Sequence, residues 1–141
     1  MTRVISDSPI DGDDVVLLAV PASGAYLGVL RTATAGLAAR LQFTLDEIED
    51  LRIAVDEACA MLLAAADVPT GEEIELSCRF TVTDDALTVE TTVPAKSAHM
   101  PLPGGESFAW QVLSALADEV HAKASNGWAS IRLTKRRPGP R

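Results

Sequence analysis

Phe43-Thr44-Leu45-Asp46-Glu47-Ile48-Glu49-Asp50-Leu51-Arg52-Ile53-Ala54-Val55-Asp56-Glu57-Ala58-Cys59 is the stretch from which the rest of the chain can be read. Thr44 and Glu47 form a capping box, in which the threonine hydroxyl takes one free N–H of the first helical turn and the glutamate reaches back for another. Behind the cap, Ile48, Leu51, Val55, Ala58 and Leu62 make one apolar stripe at helical spacing. The helix is expected to end near the turn signal Asp67-Val68-Pro69-Thr70-Gly71. Upstream, Leu27, Leu30, Leu37 and Leu41 recur near helical spacing between Ala25 and Leu41. The Ala and Gly residues among them would let this helix lie close against another element. Before it, Val15 to Val20 is a continuous apolar run closed by Pro21, the pattern of a buried strand.

Downstream the period changes from helical to alternating. Ile74, Leu76, Cys78 and Phe80 alternate with polar residues, as do Leu87, Val89, Thr91 and Val93, with Asp84-Asp85 between them. That is a β-hairpin with one face on a core. Pro94 to Gly105 reads as a loop. Ser107 can cap a third helix whose inward residues are Trp110, Val112, Leu113, Leu116 and Val120. A last hairpin turns at Ser125-Asn126-Gly127, and Ala129, Ile131 and Leu133 supply its inner face. The order is therefore strand, two helices, hairpin, helix, hairpin. It predicts an α/β two-layer sandwich: a mixed, mostly antiparallel sheet covered on one face by about three helices. One domain is expected over residues 15–135, after a mobile leader (1–14) and before a basic, frayed tail (136–141).

Charge and composition exclude several function classes. The 141 residues carry a formal charge of −8, and the pI is near 4.6. Phosphate backbones call for a cationic footprint, so a nucleic-acid partner is not expected and a basic protein surface suits better. No apolar run approaches the ~20 residues of a membrane span and no secretory signal precedes the first element, so a cytoplasmic protein without a membrane partner is expected. Cys59 and Cys78 form no CxxC and supply neither a disulfide framework nor a zinc site. Inert burial is their default reading, because a redox role would need neighbours that favour the thiolate. His99 and His121 stand alone and receive no metal or catalytic role, and Trp110 and Trp128 read as core or interface anchors.

The capped helix with its Asp56-Glu57-Ala58-Cys59 block, the preceding Val20-Pro21-Ala22 and Leu30-Arg31-Thr32, and the closing Leu116-Ala-Asp-Glu-Val120 and Ile131-Arg-Leu-Thr-Lys135 together resemble the RsbW-type anti-sigma factors. These are serine kinases of the GHKL, or Bergerat-fold, ATPase superfamily. The resemblance runs roughly from Val15 to Lys135, and Ser107-Phe108-Ala109-Trp110 brings it nearest to actinobacterial anti-sigma-F factors. It implies partner switching: a dimer holds a sigma factor away from RNA polymerase and releases it when an anti-anti-sigma protein of the STAS type competes. Active members phosphorylate a serine of that competitor with MgATP.

The same resemblance implies a nucleotide site, and the residues here depart from it. In the family's Glu-Ala-x-x-Asn box the Glu is the general base and the Asn a magnesium ligand. Glu57 and Ala58 match, but the Asn position is Met61, a soft thioether where magnesium wants hard oxygen. Without the resemblance, Glu57 is a solvated helix carboxylate and Met61 is core filler. The adenine-reading Asp falls on Val93, the phosphate-loop glycines on Ser107 and Ala109, and an adenine-pocket Thr on Ser130, which keeps a hydroxyl. Arg31 matches the arginine through which the family contacts both sigma factor and competitor; by itself it is an ordinary exposed helix arginine. The expectation is an anti-sigma domain with a degenerate nucleotide site and no resident cofactor. The alternative is an active kinase that binds MgATP, with Glu57 as base.

Overall fold

A computed structural model describes residues 13–66, 74–95, 107–125 and 127–138. The alternating stretches form the ladders that their pattern predicts. β2 (Glu75–Val82) and β3 (Ala86–Ala95) pair antiparallel with Cys78 opposite Thr91 and Phe80 opposite Val89. β4 (Glu119–Ser125) and β5 (Gly127–Arg136) form the second hairpin, closed by the Ser125–Trp128 pair, with Gly127 at a φ of +98° that favours glycine. β3 also pairs with β5, and β1 (Asp14–Pro21) pairs with β2, giving the order β1-β2-β3-β5-β4. All four ladders are antiparallel, so among the described residues the expected mixed sheet contains no parallel pair.

Three helices cover one face. α1 (Leu27–Arg40) follows a short 3-10 turn at Gly24–Tyr26, where Ser23 caps the entry by accepting from the Ala25 N–H. α2 (Leu45–Ala65) opens on the capping box: the Glu47 N–H donates to Thr44 Oγ1 at 3.1 Å and the Thr44 N–H donates to Glu47 Oε1 at 2.7 Å. α3 (Phe108–Leu116) starts at Ser107, whose Oγ accepts from the Trp110 N–H at 3.1 Å. Leu51, Val55, Ala58 and Leu62 of the α2 stripe are buried, and Ile48 packs at its edge. They meet Leu76, Phe80, Leu87, Val89, Val93, Ile131 and Leu133 from the inner sheet face and Leu30 and Leu113 from the flanking helices. Burying a side chain of this size stabilises the fold by about 1.5–3 kcal/mol. The outer sheet face carries polar rows, with Thr88 and Thr134 hydroxyls 3.2 Å apart and Arg79, Glu90 and Arg132 in register.

Four expectations change. The apolar run of β1 is an edge strand, not a buried one; Val16 and Leu17 are exposed and only Val20 is buried. Val120 lies in β4 rather than in the third helix, because the chain leaves helical geometry at Ala117, where φ and ψ are −121° and 155°. Pro94 and Ala95 continue β3 instead of opening a loop; residues 96–105 of that loop fall outside the described residues. At the termini, Asp14 already belongs to β1, while β5 runs through Arg136 and the Arg137 N–H donates to the Asp85 carbonyl. The rest of the expected leader (1–12) and residues 139–141 of the expected tail lie outside the described residues.

Candidate functional site

α2 lies between α1 and α3 and carries chemistry on both flanks. Successive helical residues are turned by about 100°, so Asp56 and Glu57 point to different sides of the stripe, whereas Glu57 and Met61, four apart, share one. Asp56 faces α1: its Oδ2 accepts from Arg31 Nη1 at 3.2 Å. Asp50, two turns before Glu57 on the other flank, stands 4.0 Å from Lys135 Nζ, which also donates to the Leu116 carbonyl at the end of α3 at 3.0 Å. Glu57 and Met61 therefore look toward α3. Glu57 is half-buried, and Met61 packs against the core.

Val93 lies on the inner face of β3, fully buried and paired with the equally buried Ala129. Ser107 spends its oxygen on capping α3, and Ala109 sits in the first turn of that helix. Glu57, Met61, Val93, Ser107 and Ala109 thus stand on elements that pack against one another. Ser130 does not join them. It follows Ala129 in β5 and pairs with Thr92, so it points to the outer sheet face although only 5% exposed. Arg31 lies apart as well, on the far flank of α2.

Among the described residues, the donor set around Glu57 is poor in hard ligands. One carboxylate with a thioether a turn away offers magnesium a single hard ligand where an octahedral array is needed. Val93 presents an isopropyl group, which accepts no hydrogen bond, and it is buried. Among the described residues no group of three or more His, Cys, Asp or Glu is placed to hold a metal.

On the other flank the geometry favours a protein partner. A shallow groove of about 510 Å³ between β1 and α1 is lined by Leu18, Gly28, Val29, Thr32 and Ala33. Val29 in this lining is exposed. Arg31 stands next to the groove with its side chain 42% exposed. Sequence reasoning missed Asp56 as its partner; the only signal was an acidic residue beside Glu57, and a pair 25 positions apart forms only when the helices pack. Cys59 and Cys78 are buried, and Cys78 Sγ lies 3.7 Å from Thr91 Oγ1. Trp110 packs on the core and Trp128 is largely exposed. No helix among the described residues is long and apolar enough to cross a membrane.

No protein-family model matches the chain. Individual proteins do. It is 30% identical over 139 residues to the serine-protein kinase RsbW of Bacillus pumilus (strain SAFR-032), across 86% of this chain and 85% of that one. It is 42% identical over 76 residues to the serine-protein kinase RsbW of Bacillus subtilis (strain 168), across 54% of this chain and 47% of that one. It is 34% identical over 119 residues to the anti-sigma-F factor RsbW of Mycobacterium tuberculosis (strain ATCC 25618 / H37Rv), across 82% and 67% of the two chains.

Proposed function

The chain belongs to the RsbW family, and from that premise we propose that it is an anti-sigma factor whose nucleotide site has degenerated. It sequesters an alternative sigma factor of the stress or sporulation type and gives it up to an anti-anti-sigma protein of the STAS type. The similarity to a protein named anti-sigma-F factor supports the binding role. The observation that supports the loss of the nucleotide site is Val93: the position that the family resemblance gives to an adenine-reading carboxylate is a fully buried valine.

Binding then runs through α1 and the groove beside it. The apolar lining supplies contact area, and Arg31 supplies a fork that can hold a partner carboxylate through two hydrogen bonds. The net charge of −8 steers a basic partner surface toward the domain, while one cation in an acidic surrounding fixes the register of docking. The domain works as a symmetric dimer, because β1 leaves a sheet edge with exposed Val16 and Leu17.

The kinase alternative draws on Glu57, a half-buried carboxylate at the position of the family's base, and on relatives named serine-protein kinase. A phosphotransfer assay separates the readings. The purified chain is incubated with the host's STAS-type antagonists and ATP labelled at the γ-phosphate, while gel filtration with the host's alternative sigma factors, taken singly, reports complex formation. The expected result is a stable complex with one sigma factor and no label on any antagonist. A labelled antagonist serine would establish the kinase instead, and no complex with any sigma factor would remove the anti-sigma reading.

A further inference from the structure

We propose that Asp56 is a competing carboxylate: it occupies Arg31 in the free protein and must yield that arginine before a partner can take it. This rests on the reading of Arg31 as a partner contact. The contact between them is single-pronged, one guanidinium nitrogen to one carboxylate oxygen at 3.2 Å. A guanidinium paired in the strongest way engages a carboxylate with two parallel bonds, so this pair uses half of what the fork offers. The second terminal nitrogen, Nη2, lies over Gly28, 3.5 Å from where a side-chain carbon on that glycine would stand. Gly28 also lines the groove between β1 and α1. A partner seated in the groove therefore comes up against the free side of the guanidinium.

Both groups are open to water, with side-chain exposures of 42% for Arg31 and 38% for Asp56. An exposed single-pronged pair is worth little, so it can exchange. It nonetheless changes what the partner gains: a sigma carboxylate receives the difference between two ion pairs rather than the whole of one. Asp56 also places a negative charge where the incoming carboxylate must come, and like charges at that range oppose docking. The two effects have the same sign. They keep the complex reversible, as a switch between two competing partners requires, and they keep the arginine compensated when neither partner is present. Asp56 touches α1 while its neighbour Glu57 looks toward α3, so this device belongs to the binding flank of α2 and is independent of any nucleotide.

Surface plasmon resonance tests it with the full chain and the sigma factor identified by gel filtration, using wild type, Arg31→Ala, Asp56→Asn and the double variant. Asparagine keeps the shape of the side chain and removes its charge. Asp56→Asn should bind about two- to fivefold tighter, the range an exposed pair is worth, with the change falling on dissociation. Arg31→Ala should bind more weakly, and Asp56→Asn should have a smaller effect in its background, because only the direct charge repulsion then remains. Melting midpoints should stay within about 2 °C, because both residues are at the surface. If Arg31→Ala weakens binding and Asp56→Asn leaves it unchanged or weaker, Asp56 is not a competitor and the proposal falls while the reading of Arg31 stands. If Arg31→Ala has no effect, the reading of Arg31 falls and takes the proposal with it.

Discussion

Burial pushes the thiol of Cys59 up from its ordinary 9.0 to about 12, with the neighbouring Cys78 thiol adding to the shift, and burial likewise raises Cys78 to about 11. The Thr91 hydroxyl works against both shifts by hydrogen bonding to the sulfurs. In the unfolded chain these thiols lose their protons near the ordinary value; in the folded one they keep them. Their contribution is thus complete below about pH 9 and is lost as pH rises toward 11–12, where the unfolded state binds fewer protons. The expected outcome is a urea midpoint that falls between pH 9 and pH 11, with a shallower fall in a Cys59→Ala/Cys78→Ala variant. Equal slopes in the two proteins would contradict it. Single residues also mark the limit of what the sequence reveals. The thiols read as buried because Cys59 lies beside the helical apolar stripe and Cys78 at an apolar position of an alternating strand, where cysteine seldom is anything else. Ser130 matched a position in a motif, yet one step of strand parity turns it to the other side of the sheet from Val93. Nothing in a list of residues announces that parity until the register is known.

At the level of elements, α2 was legible because its signals are local. A capping box and a stripe at 3.6-residue spacing need no knowledge of the rest of the chain. Thr44→Ala should cost about 1 kcal/mol of stability, since it deprives the Glu47 N–H of its acceptor at 3.1 Å. Equilibrium unfolding in urea measures it, and a loss below a few tenths of a kcal/mol would mean that the cap is replaceable by water. The hairpins were equally legible, through alternation and Gly127. What could not be read was which apolar run lies at the edge. β1 looks as apolar as a central strand, and its place outside β2 follows from topology, which sets neighbours that composition does not. Two of the positions that the resemblance assigns to a nucleotide, Met61 and Val93, differ in tolerance for the same reason. Met61 is half-exposed, so Met61→Asn should fold normally, whereas Val93→Asp would bury a carboxylate between β3, β5 and α2 and should cost several kcal/mol. Circular dichroism melts of the two variants check this; a Val93→Asp protein as stable as wild type would mean that the inner face is open to solvent.

For the whole molecule, an acidic helical layer, an arginine beside an apolar groove and an open sheet edge make a surface suited to binding proteins. The edge predicts association: sedimentation at tens of micromolar should give a dimer, and charged substitutions at Val16 and Leu17, exposed on opposite faces of the edge strand, should shift it toward monomer. A monomer at that concentration would mean that the edge is covered in another way. The central claim is that partner binding has been kept while nucleotide chemistry has been lost. Isothermal titration of the chain with its sigma factor, run with and without MgATP, tests it most directly. The account predicts a single affinity, unchanged within about twofold by nucleotide. A shift of tenfold or more, equal to about 1.4 kcal/mol, would show that the chain still binds ATP and would contradict it.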